Sequence, residues 1–342
     1  MSKAAQLEAV ARAMVAPGKG ILAADESSPT IKKRFDGIGV ESTEDNRRAY
    51  REMLFTTKGA EEFISGVILF DETLRQSASD GTPFAKLLES KGILPGIKVD
   101  AGAKDLAGAP GEKVTEGLDG LRGRVAEYVG LGAKFAKWRA VIDIDVERDL
   151  PSEYCLDVNA HALARYAAIC VEGGLVPIVE PEVLMDGAHS IEVCRDVTER
   201  ALAKVFYELH RQRVPLEQII LKPNMVLAGK KCPTQASVEQ VAEQTVACFR
   251  RVVPSAVAGC VFLSGGQSDE LASAHLSAMN RLGPHAWELS FSYGRALQAP
   301  ALKAWGGKQE NVAAGQRAYY HRAKCNSAAR TGAYTDAMEK AA

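Results

Sequence analysis

One lysine stands at a position where lysine is costly, at the end of a strongly apolar run. Residues 219–225 read Ile-Ile-Leu-Lys-Pro-Asn-Met, so three apolar residues precede Lys222 and a proline follows it. Lysine is rarely buried without a partner, and taken alone Lys222 would be expected in solvent just past a strand. Other apolar runs, however, also end in charged or hydroxyl side chains, at Asp25, Lys98, Lys137, Glu180 and Ser264.

Alternation along these runs predicts which side chains share a face. Successive side chains of a strand point to opposite faces, so Lys222 lies on the face of Ile220. By the same rule Glu180 and Glu182 lie on the face of Ile178. If the apolar members point into a closed barrel, the charged members point into its mouth. That mouth would hold Asp25, Lys98, Lys137, Arg139, Glu180, Glu182, Lys222 and Arg295.

This set of residues favours carbonyl chemistry on a lysine. Neighbouring cations lower the pKa of a lysine and make its neutral amine accessible, and a neutral amine can attack a carbonyl to form a Schiff base. Glu180 and Glu182 can carry the protons of that step, and Asp25 is a further carboxylate that can act as a base. The alternative interpretation is structural, a ring of ion pairs that closes one end of a barrel.

Two short motifs predict phosphate binding. Ser264-Gly265-Gly266 offers a hydroxyl and backbone N–H groups, and Ser292-Tyr293-Gly294-Arg295 adds a guanidinium that can bind phosphate with two hydrogen bonds. Barrels often bind phosphate with the loops that follow strands seven and eight. A second, opposite phosphate site could draw on the hydroxyl and basic residues Ser27, Ser28, Thr30, Lys32, Lys33, Arg34 and Lys98. No histidine pair has the spacing of a catalytic zinc site, so we expect no metal and no other cofactor.

The elements that position these residues alternate between strands and helices. Eight apolar strands are predicted at 21–26, 66–70, 96–100, 135–142, 176–182, 219–224, 259–265 and 287–293. Eight such units favour an α/β fold of the (β/α)8 TIM-barrel type. A doubly wound sheet is the alternative, but strand one is followed by Asp-Glu-Ser-Ser instead of a glycine-rich nucleotide motif.

The same periodicity outlines the rest of the chain. We expect a long loop at 101–118, an N-terminal helix at 2–15 and two C-terminal helices at 296–305 and 308–326. A small, polar stretch at 328–342 is expected to be a mobile tail of one single domain that spans 1–342.

Composition narrows the class of protein. The chain has 342 residues and a formal charge of −1, which gives no basic field for nucleic acid. No apolar run approaches the ~20 residues of a membrane helix, and residues 1–20 lack the apolar stretch of a signal peptide. Seven cysteines without a Cys-x-x-Cys motif are typical of reduced thiols in a cytoplasmic protein.

Taken together, these motifs resemble those of the class I, Schiff-base fructose-bisphosphate aldolases. The similarity runs from about residue 18 to 327, and its matching segments are Gly20-Ile-Leu-Ala-Ala-Asp-Glu-Ser27, Gly66-Val-Ile-Leu-Phe70, Gly96-Ile-Lys-Val-Asp100, Phe135-Ala-Lys-Trp-Arg139, Val179-Glu-Pro-Glu182, Leu221-Lys-Pro-Asn-Met225, Phe262-Leu-Ser-Gly-Gly-Gln-Ser268 and Phe291-Ser-Tyr-Gly-Arg-Ala-Leu297. The resemblance implies reversible, metal-independent cleavage of fructose 1,6-bisphosphate to dihydroxyacetone phosphate and glyceraldehyde 3-phosphate. It also implies a homotetramer.

The resemblance further implies individual roles. Lys222 would form the Schiff base, Glu180 would assist as acid and base with Glu182 in support, and Asp25 beside Lys137 would take the C4 hydroxyl proton. The phosphate of the dihydroxyacetone half would bind Ser264, Gly265, Ser292 and Arg295. The residues implied near the other phosphate are Ser27, Thr30, Arg34 and Lys98. Arg139 and Gly294 are also expected to bind the substrate or its phosphates.

Two departures from the family pattern bear on efficiency. Many members have serine where this chain has Thr30, and animal and plant members end in a tail with a terminal tyrosine that helps proton exchange at the enamine. This sequence ends Glu339-Lys-Ala-Ala342, and Tyr334 does not occupy the terminal position. Two alternatives stay open: another Schiff-base aldolase or transaldolase of ketose phosphates, and a non-catalytic scaffold that binds sugar phosphate.

Overall fold

The computed structural model of the chain describes residues 2–341. Its strands are β1 (Gly20–Ala24), β2 (Ile64–Leu69), β3 (Leu94–Lys98), β4 (Ala103–Asp105), β5 (Lys113–Thr115), β6 (Phe135–Ile142), β7 (Val176–Val183), β8 (Ile220–Leu221), β9 (Gly259–Phe262) and β10 (Glu288–Tyr293). Eight of them close into a parallel barrel in the order β1-β10-β9-β8-β7-β6-β3-β2. The predicted (β/α)8 TIM barrel is therefore confirmed.

Helices surround the barrel and close its lower end. They are α1 (Lys3–Met14), α2 (Ser28–Asp36), α3 (Glu44–Thr56), α4 (Asp71–Arg75), α5 (Phe84–Ser90), α6 (Leu121–Gly130), α7 (Glu153–Gly173), α8 (Ile191–Arg211), α9 (Val238–Val252), α10 (Asp269–Arg281), α11 (Arg295–Trp305) and α12 (Val312–Arg330). The start of α3 shows how local sequence sets these bounds. Thr43 Oγ1 accepts a hydrogen bond from the backbone N–H of Asn46 at 3.1 Å, as expected for an N-cap.

The interior of the barrel is a separate apolar layer, and it decides where the chemistry lies. Side chains that fill it come from alternate strand positions, and they include Ile21, Ala23, Ile68, Phe135, Val176, Ile178, Ile220 and Val261. Leu7, Ala11 and Met14 of α1 pack beneath them. The inward positions further along β6, β7 and β8 must then face the opposite, open end of the barrel. The predicted alternation of faces is thus present in the structure.

One large ring sets the spacing within this layer. A β-carbon added to Gly96 would lie 2.2–2.5 Å from atoms of the Phe135 ring, and one added to Gly66 would lie 3.0 Å from it. Real β-carbons do not approach other atoms that closely. Glycine at these two strand positions therefore leaves the space that Phe135 occupies, at the base of the same strand that bears Lys137.

Several predicted boundaries differ from the structure. The segment 101–118 is not a plain loop, because β4 and β5 pair there as an antiparallel hairpin. β8 has two residues instead of six, so Lys222 lies just beyond it. The predicted start of the tail at 328 was wrong because α12 continues to Arg330, where Ala329 and Arg330 are buried. Whether the remaining tail is mobile stays a prediction, and Ala342 lies outside the described residues.

Within residues 2–341, none of the helices combines the length and apolar character needed to cross a membrane.

Candidate active site

A cavity of about 870 Å³ opens at the carboxyl ends of the barrel strands. Active sites of (β/α)8 barrels lie at this end. The predicted residues that line the cavity are Asp25, Ser27, Thr30, Lys33, Arg34, Lys98, Lys137, Arg139, Glu180, Glu182, Lys222, Ser264, Gly265, Ser292, Gly294 and Arg295. Ser28 and Lys32, which were also candidates for the second phosphate site, are not among the residues that line it. The structure therefore brings these residues together, although their separate roles stay predictions.

Lys222 and Glu180 lie side by side because of strand register. Ile178 pairs with Ile220 between β7 and β8, and the Lys222 N–H donates to the Val179 carbonyl at 2.8 Å. Two residues further along, both inward side chains face the mouth, and Lys222 Nζ lies 3.2 Å from Glu180 Oε1. Both residues are at most 4% exposed. The amine thus has an acid–base partner in contact and little competition from water.

Lys137 occupies a different electrostatic position from Lys222. Its Nζ lies 2.9 Å from Asp25 Oδ2 and 3.3 Å from Glu180 Oε2. Burial acts to lower the pKa of Lys137, but Asp25, Glu180 and the nearby Asp100 outweigh it and hold that pKa above its usual value. Lys137 therefore stays an ammonium between carboxylates.

Asp25 is correspondingly held in its ionised form. Burial acts to raise the pKa of Asp25, yet the charges of Lys137, Lys222 and Lys98 bring it well below the usual range. Asp25 follows β1 whereas Lys137 lies on β6, so their contact crosses the barrel mouth. A carboxylate fixed in this way is available as a proton acceptor at neutral pH.

Two further cations are held by carboxylates on the β3 to β7 side. Arg139 Nε bonds Glu182 Oε2, and Lys98 Nζ lies 2.6 Å from Asp100 Oδ1. Burial acts to lower the pKa of Arg139, but Glu182 and its hydrogen bond raise that pKa overall. Sequence reasoning missed Asp100, although its place two residues after Lys98 on one strand face was a usable signal.

The loops after β9 and β10 form one anion-binding side. Gly265 and Gly266 have positive φ values of 59° and 86°, a conformation that suits glycine and leaves the backbone open to a ligand. A β-carbon added to Gly266 would lie 2.8 Å from Arg295 Nη2 and 2.7 Å from Lys230 Nζ, so both cations stand over it. Ser292 Oγ is buried with no hydrogen-bond partner among the described residues. A phosphate oxygen could accept a hydrogen bond from the Ser292 hydroxyl.

The strand order decides which groups face each other across the mouth. In the closed order, β9 is diametrically opposite β3, and β10 is opposite β6. Lys98 and Arg139 therefore lie across the mouth from the Ser264 and Arg295 side. The residues after β1 lie opposite neither of these two sides, because β1 is two strand positions away from β9 and two from β3. The sequence grouped Ser27, Thr30 and Arg34 with Lys98; all four line the cavity, and their grouping in one phosphate site stays a prediction.

The residues after β1 instead form a third group between the two sides. Ser27 Oγ lies 3.2 Å from Thr30 Oγ1 at the start of α2. A β-carbon added to Gly294 would lie 3.5 Å from Arg34 Nη2, which places the Arg34 guanidinium toward β10. Arg34 also pairs with Glu26.

Glu26 belongs to a buried network that sequence reasoning missed. It is 8% exposed, it pairs with Arg51 at 2.5 Å as well as with Arg34, and Gln298 donates to it at 2.9 Å. Burial acts to raise the pKa of Glu26, but Arg51 and Arg34 lower it overall. No short-range pattern predicts this network, because Arg51 and Gln298 are far from Glu26 in the sequence.

This geometry suits a phosphorylated carbonyl compound. An amine in contact with a carboxylate lies between two cation-bearing sides, and a permanently charged Lys137 holds a second carboxylate ionised. Comparisons with known proteins point the same way. The family model described as fructose-bisphosphate aldolase class-I matches residues 6–342.

Relatives and a solved structure agree over nearly the whole chain. A probable fructose-bisphosphate aldolase class 1 of Xanthomonas campestris pv. campestris is 60% identical, covering 96% of this chain and 98% of that protein. Fructose-bisphosphate aldolase 1 of Toxoplasma gondii is 55% identical, covering 97% and 91%. The aldolase of Plasmodium falciparum, solved with TRAP and a small-molecule inhibitor, has a TM-score of 0.96 at 52% identity and covers 97% of this chain and 96% of that one. None of these favours a transaldolase or a scaffold, and the chain belongs to the class I fructose-bisphosphate aldolases.

Proposed function

We propose that this chain cleaves fructose 1,6-bisphosphate through a Schiff base on Lys222 and without a metal ion. The observation that carries the proposal is the buried contact between Lys222 Nζ and Glu180 Oε1 at 3.2 Å. Carbon–carbon cleavage needs a place for the electron pair of the broken bond. A protonated imine at C2 of the substrate supplies that place, which is the task a metal ion would otherwise perform.

The first half of the reaction builds the imine. The neutral amine of Lys222 attacks the C2 carbonyl, and the carbinolamine then loses its hydroxyl group as water. Glu180, in contact with Lys222, gives the proton that this hydroxyl needs to leave. Glu182, two residues after Glu180 on the same strand face, forms an ion pair with Arg139. Lys137 Nζ lies 3.3 Å from the other carboxylate oxygen of Glu180, Oε2.

The second half breaks the bond between C3 and C4. Asp25 takes the proton of the C4 hydroxyl, C4 becomes an aldehyde, and the electron pair of the broken bond moves into an enamine on Lys222. Glyceraldehyde 3-phosphate leaves, the enamine takes a proton at C3, and hydrolysis of the imine releases dihydroxyacetone phosphate. Lys137 keeps Asp25 ionised for the first of these proton transfers.

The two opposed cation-bearing sides fit the two phosphates of this substrate. We assign the phosphate of the dihydroxyacetone half to the Ser264, Gly265, Ser292, Gly294 and Arg295 side, because the unpartnered Ser292 hydroxyl and the glycine backbone lie there. The other phosphate lies toward Lys98 and Arg139 across the mouth. Ser27, Thr30 and Arg34 stand between the two sides and close the cavity over the sugar.

Covalent trapping tests the proposal. The protein is incubated with dihydroxyacetone phosphate, reduced with borohydride and digested, and the modified peptide is identified by mass spectrometry. We expect one adduct per chain, at Lys222. Lys222→Arg should give no adduct because a guanidinium stays protonated. Lys230→Arg is the matched control, a more exposed lysine beside the phosphate side, and it should be labelled normally. An adduct at another lysine, or loss of activity in EDTA that zinc restores, would overturn the mechanism.

We also propose a cytoplasmic homotetramer whose aldol reaction uses no cofactor. All seven cysteines are unpaired, which suits a reducing compartment, and a relative from Arabidopsis thaliana is named a cytosolic aldolase. The tetramer rests on the family resemblance. Light scattering at micromolar concentration checks it, and a monomer at that concentration would contradict it.

A further inference from the structure

Three side chains with metal-ligand atoms converge far from the barrel mouth. His321 and Cys325 lie one turn apart on α12, and Glu339 belongs to the short terminal 3-10 helix Asp336–Ala341. Their His Nε2, Cys Sγ and carboxylate oxygen atoms all lie within 4.8 Å of one another. Cys325 is fully buried, and the other two are partly buried. No step of the aldol reaction uses them.

The distances between these atoms are compatible with a tetrahedral zinc ion between them. His321 Nε2 lies 3.6 Å from Cys325 Sγ and 3.7 Å from Glu339 Oε2. The second distance is too long for a hydrogen bond between nitrogen and oxygen. Zinc binds histidine nitrogen at about 2.0–2.1 Å and cysteine sulfur at about 2.3 Å, so tetrahedral angles put these two atoms about 3.5 Å apart.

The surroundings fix the carboxylate in a ligand-ready orientation. Glu339 Oε1 accepts hydrogen bonds from Arg322 and from the Tyr334 hydroxyl, the latter at 2.8 Å. Its Oε2 is therefore turned toward His321. Partners of this kind, which hold one ligand atom and leave the other to the metal, are a regular feature of zinc sites. Arg322 also compensates the second negative charge that a bound thiolate would bring.

We propose that His321 Nε2, Cys325 Sγ and Glu339 Oε2 bind one Zn²⁺ ion, which ties the C-terminal segment to α12. Three protein ligands leave the fourth tetrahedral position to a water molecule. On binding, the S–H bond of Cys325 breaks, its sulfur bonds the ion, and the proton passes to solvent. His321 must present Nε2 without a proton, so the tautomer with the proton on Nδ1 binds.

The site connects the end of the chain to the phosphate side of the active site. Arg322 stands between the two helical ligands in sequence, and its guanidinium donates to the carbonyls of Asp269 and Ala296. These residues lie in the first turns of α10 and α11, and Ala296 directly follows Arg295. A metal that fixes Glu339 against Arg322 therefore stabilises the packing around Arg295 without taking part in catalysis.

Metal titration of the full chain tests the site. Zn²⁺ is titrated against a chromophoric chelator, and Co²⁺ is used as an absorbing substitute that reports thiolate bonding. We expect one tightly bound Zn²⁺ per chain and a thiolate-to-cobalt charge-transfer band. Cys325→Ser and His321→Gln should each weaken Zn²⁺ binding by about 100-fold, since even partners outside the ligand set contribute 10- to 100-fold. Zinc should also slow amide hydrogen exchange at 331–341.

Matched controls separate this site from other thiols and imidazoles. Cys232→Ser and His161→Gln remove partly buried or exposed residues elsewhere, and both should bind Zn²⁺ as the unaltered protein does. Circular dichroism checks that each variant is folded. Fructose 1,6-bisphosphate cleavage should persist in EDTA, which distinguishes this metal from a catalytic one. The proposal is overturned if no stoichiometric binding occurs, or if Cys325→Ser and His321→Gln bind Zn²⁺ as tightly as the controls.

Discussion

Lys137 gives the sharpest test of how charge is arranged in the mouth. Its two ion-pair distances, 2.9 Å to Asp25 and 3.3 Å to Glu180, correspond to about 5–6 kcal/mol of attraction each at an effective dielectric constant of about 20. Removing these ions from water offsets much of that attraction. Deleting one partner of a buried pair nevertheless costs about 3–5 kcal/mol, because the other charge stays buried alone. We therefore expect Lys137→Met to lower the free energy of unfolding by about 3–5 kcal/mol at pH 7.

The pH dependence of this loss has a definite sign. The folded pKa of Asp25 is lowered, so its contribution is present above the unfolded value of about 3.9 and is lost as pH falls through the folded pKa. The folded pKa of Lys137 is raised, so its contribution is present below about 10.4 and is lost as pH rises through the folded pKa. Between pH 5 and 9 this pair should leave the stability of the unaltered protein flat.

The variant should behave differently because two buried carboxylates then face each other. One of them will take up a proton on folding, so the stability deficit of Lys137→Met should shrink between pH 7 and pH 5. The deficit is measured at each pH by urea unfolding, with tryptophan fluorescence as the signal. Lys134→Met is the control: its N–O distance to Glu89 is also 2.9 Å, but both side chains are about 40% exposed, so the loss should stay below about 1 kcal/mol. Equal losses in the two variants, independent of pH, would refute this account.

Two further substitutions test the phosphate side and the barrel interior. Arg295→Ala should raise KM for fructose 1,6-bisphosphate about 10- to 150-fold, because a charged hydrogen bond contributes about 1.5–3 kcal/mol. A large drop in Tm with unchanged KM would show instead that Arg295 is structural. Gly96→Ala should destabilise the fold by about 1–3 kcal/mol, since its β-carbon meets the Phe135 ring. The control is Gly123→Ala in α6, where no atom lies within 4 Å of an added β-carbon; it should be neutral or stabilising by up to about 1 kcal/mol. Urea unfolding measures both variants, and a larger loss of stability in Gly123→Ala than in Gly96→Ala would contradict this packing.

The sequence predicted that Lys222 and Glu180 share the barrel mouth, because alternation put each side chain on the same face as a buried isoleucine. The structure adds the strand register, which puts the two isoleucines opposite each other and so brings Lys222 and Glu180 into contact. The same reasoning placed Lys137 and Arg139 inside the mouth. Residues whose position depends only on strand parity and on closure of the barrel were therefore predictable from sequence.

Other features depend on where distant segments pack. The pairing of Glu26 with Arg51 joins the segment after β1 to α3, and no local sequence pattern around either residue predicts the other. The strand before Arg34, β1, and the strand that bears Lys98, β3, are two positions apart in the closed barrel, and that order also depends on how distant segments pair. The tail was expected to be mobile because it is small and polar, yet Tyr334 packs into the core at 5% exposure. The composition of the tail could not show that Tyr334 packs against the core.

The position of Tyr334 leads to a last prediction about proton transfer. Its hydroxyl is buried and donates to Glu339 at 2.8 Å, and it does not line the active-site cavity as the structure describes it. Burial raises the pKa of Tyr334, with Glu339 adding to the effect. Under the proposed mechanism Tyr334 is held away from the enamine, and Glu180 or water is expected to protonate C3. We expect Tyr334→Phe to leave hydrogen exchange at C3 of dihydroxyacetone phosphate unchanged while costing about 1 kcal/mol of stability. Glu180→Gln should slow that exchange by about 100-fold or more whichever group is the donor, because Glu180 also assists formation of the imine. A tenfold or larger loss of exchange in Tyr334→Phe would show that the tail detaches during turnover. In that case zinc bound at Glu339 should inhibit the exchange, because it would hold the tail in place.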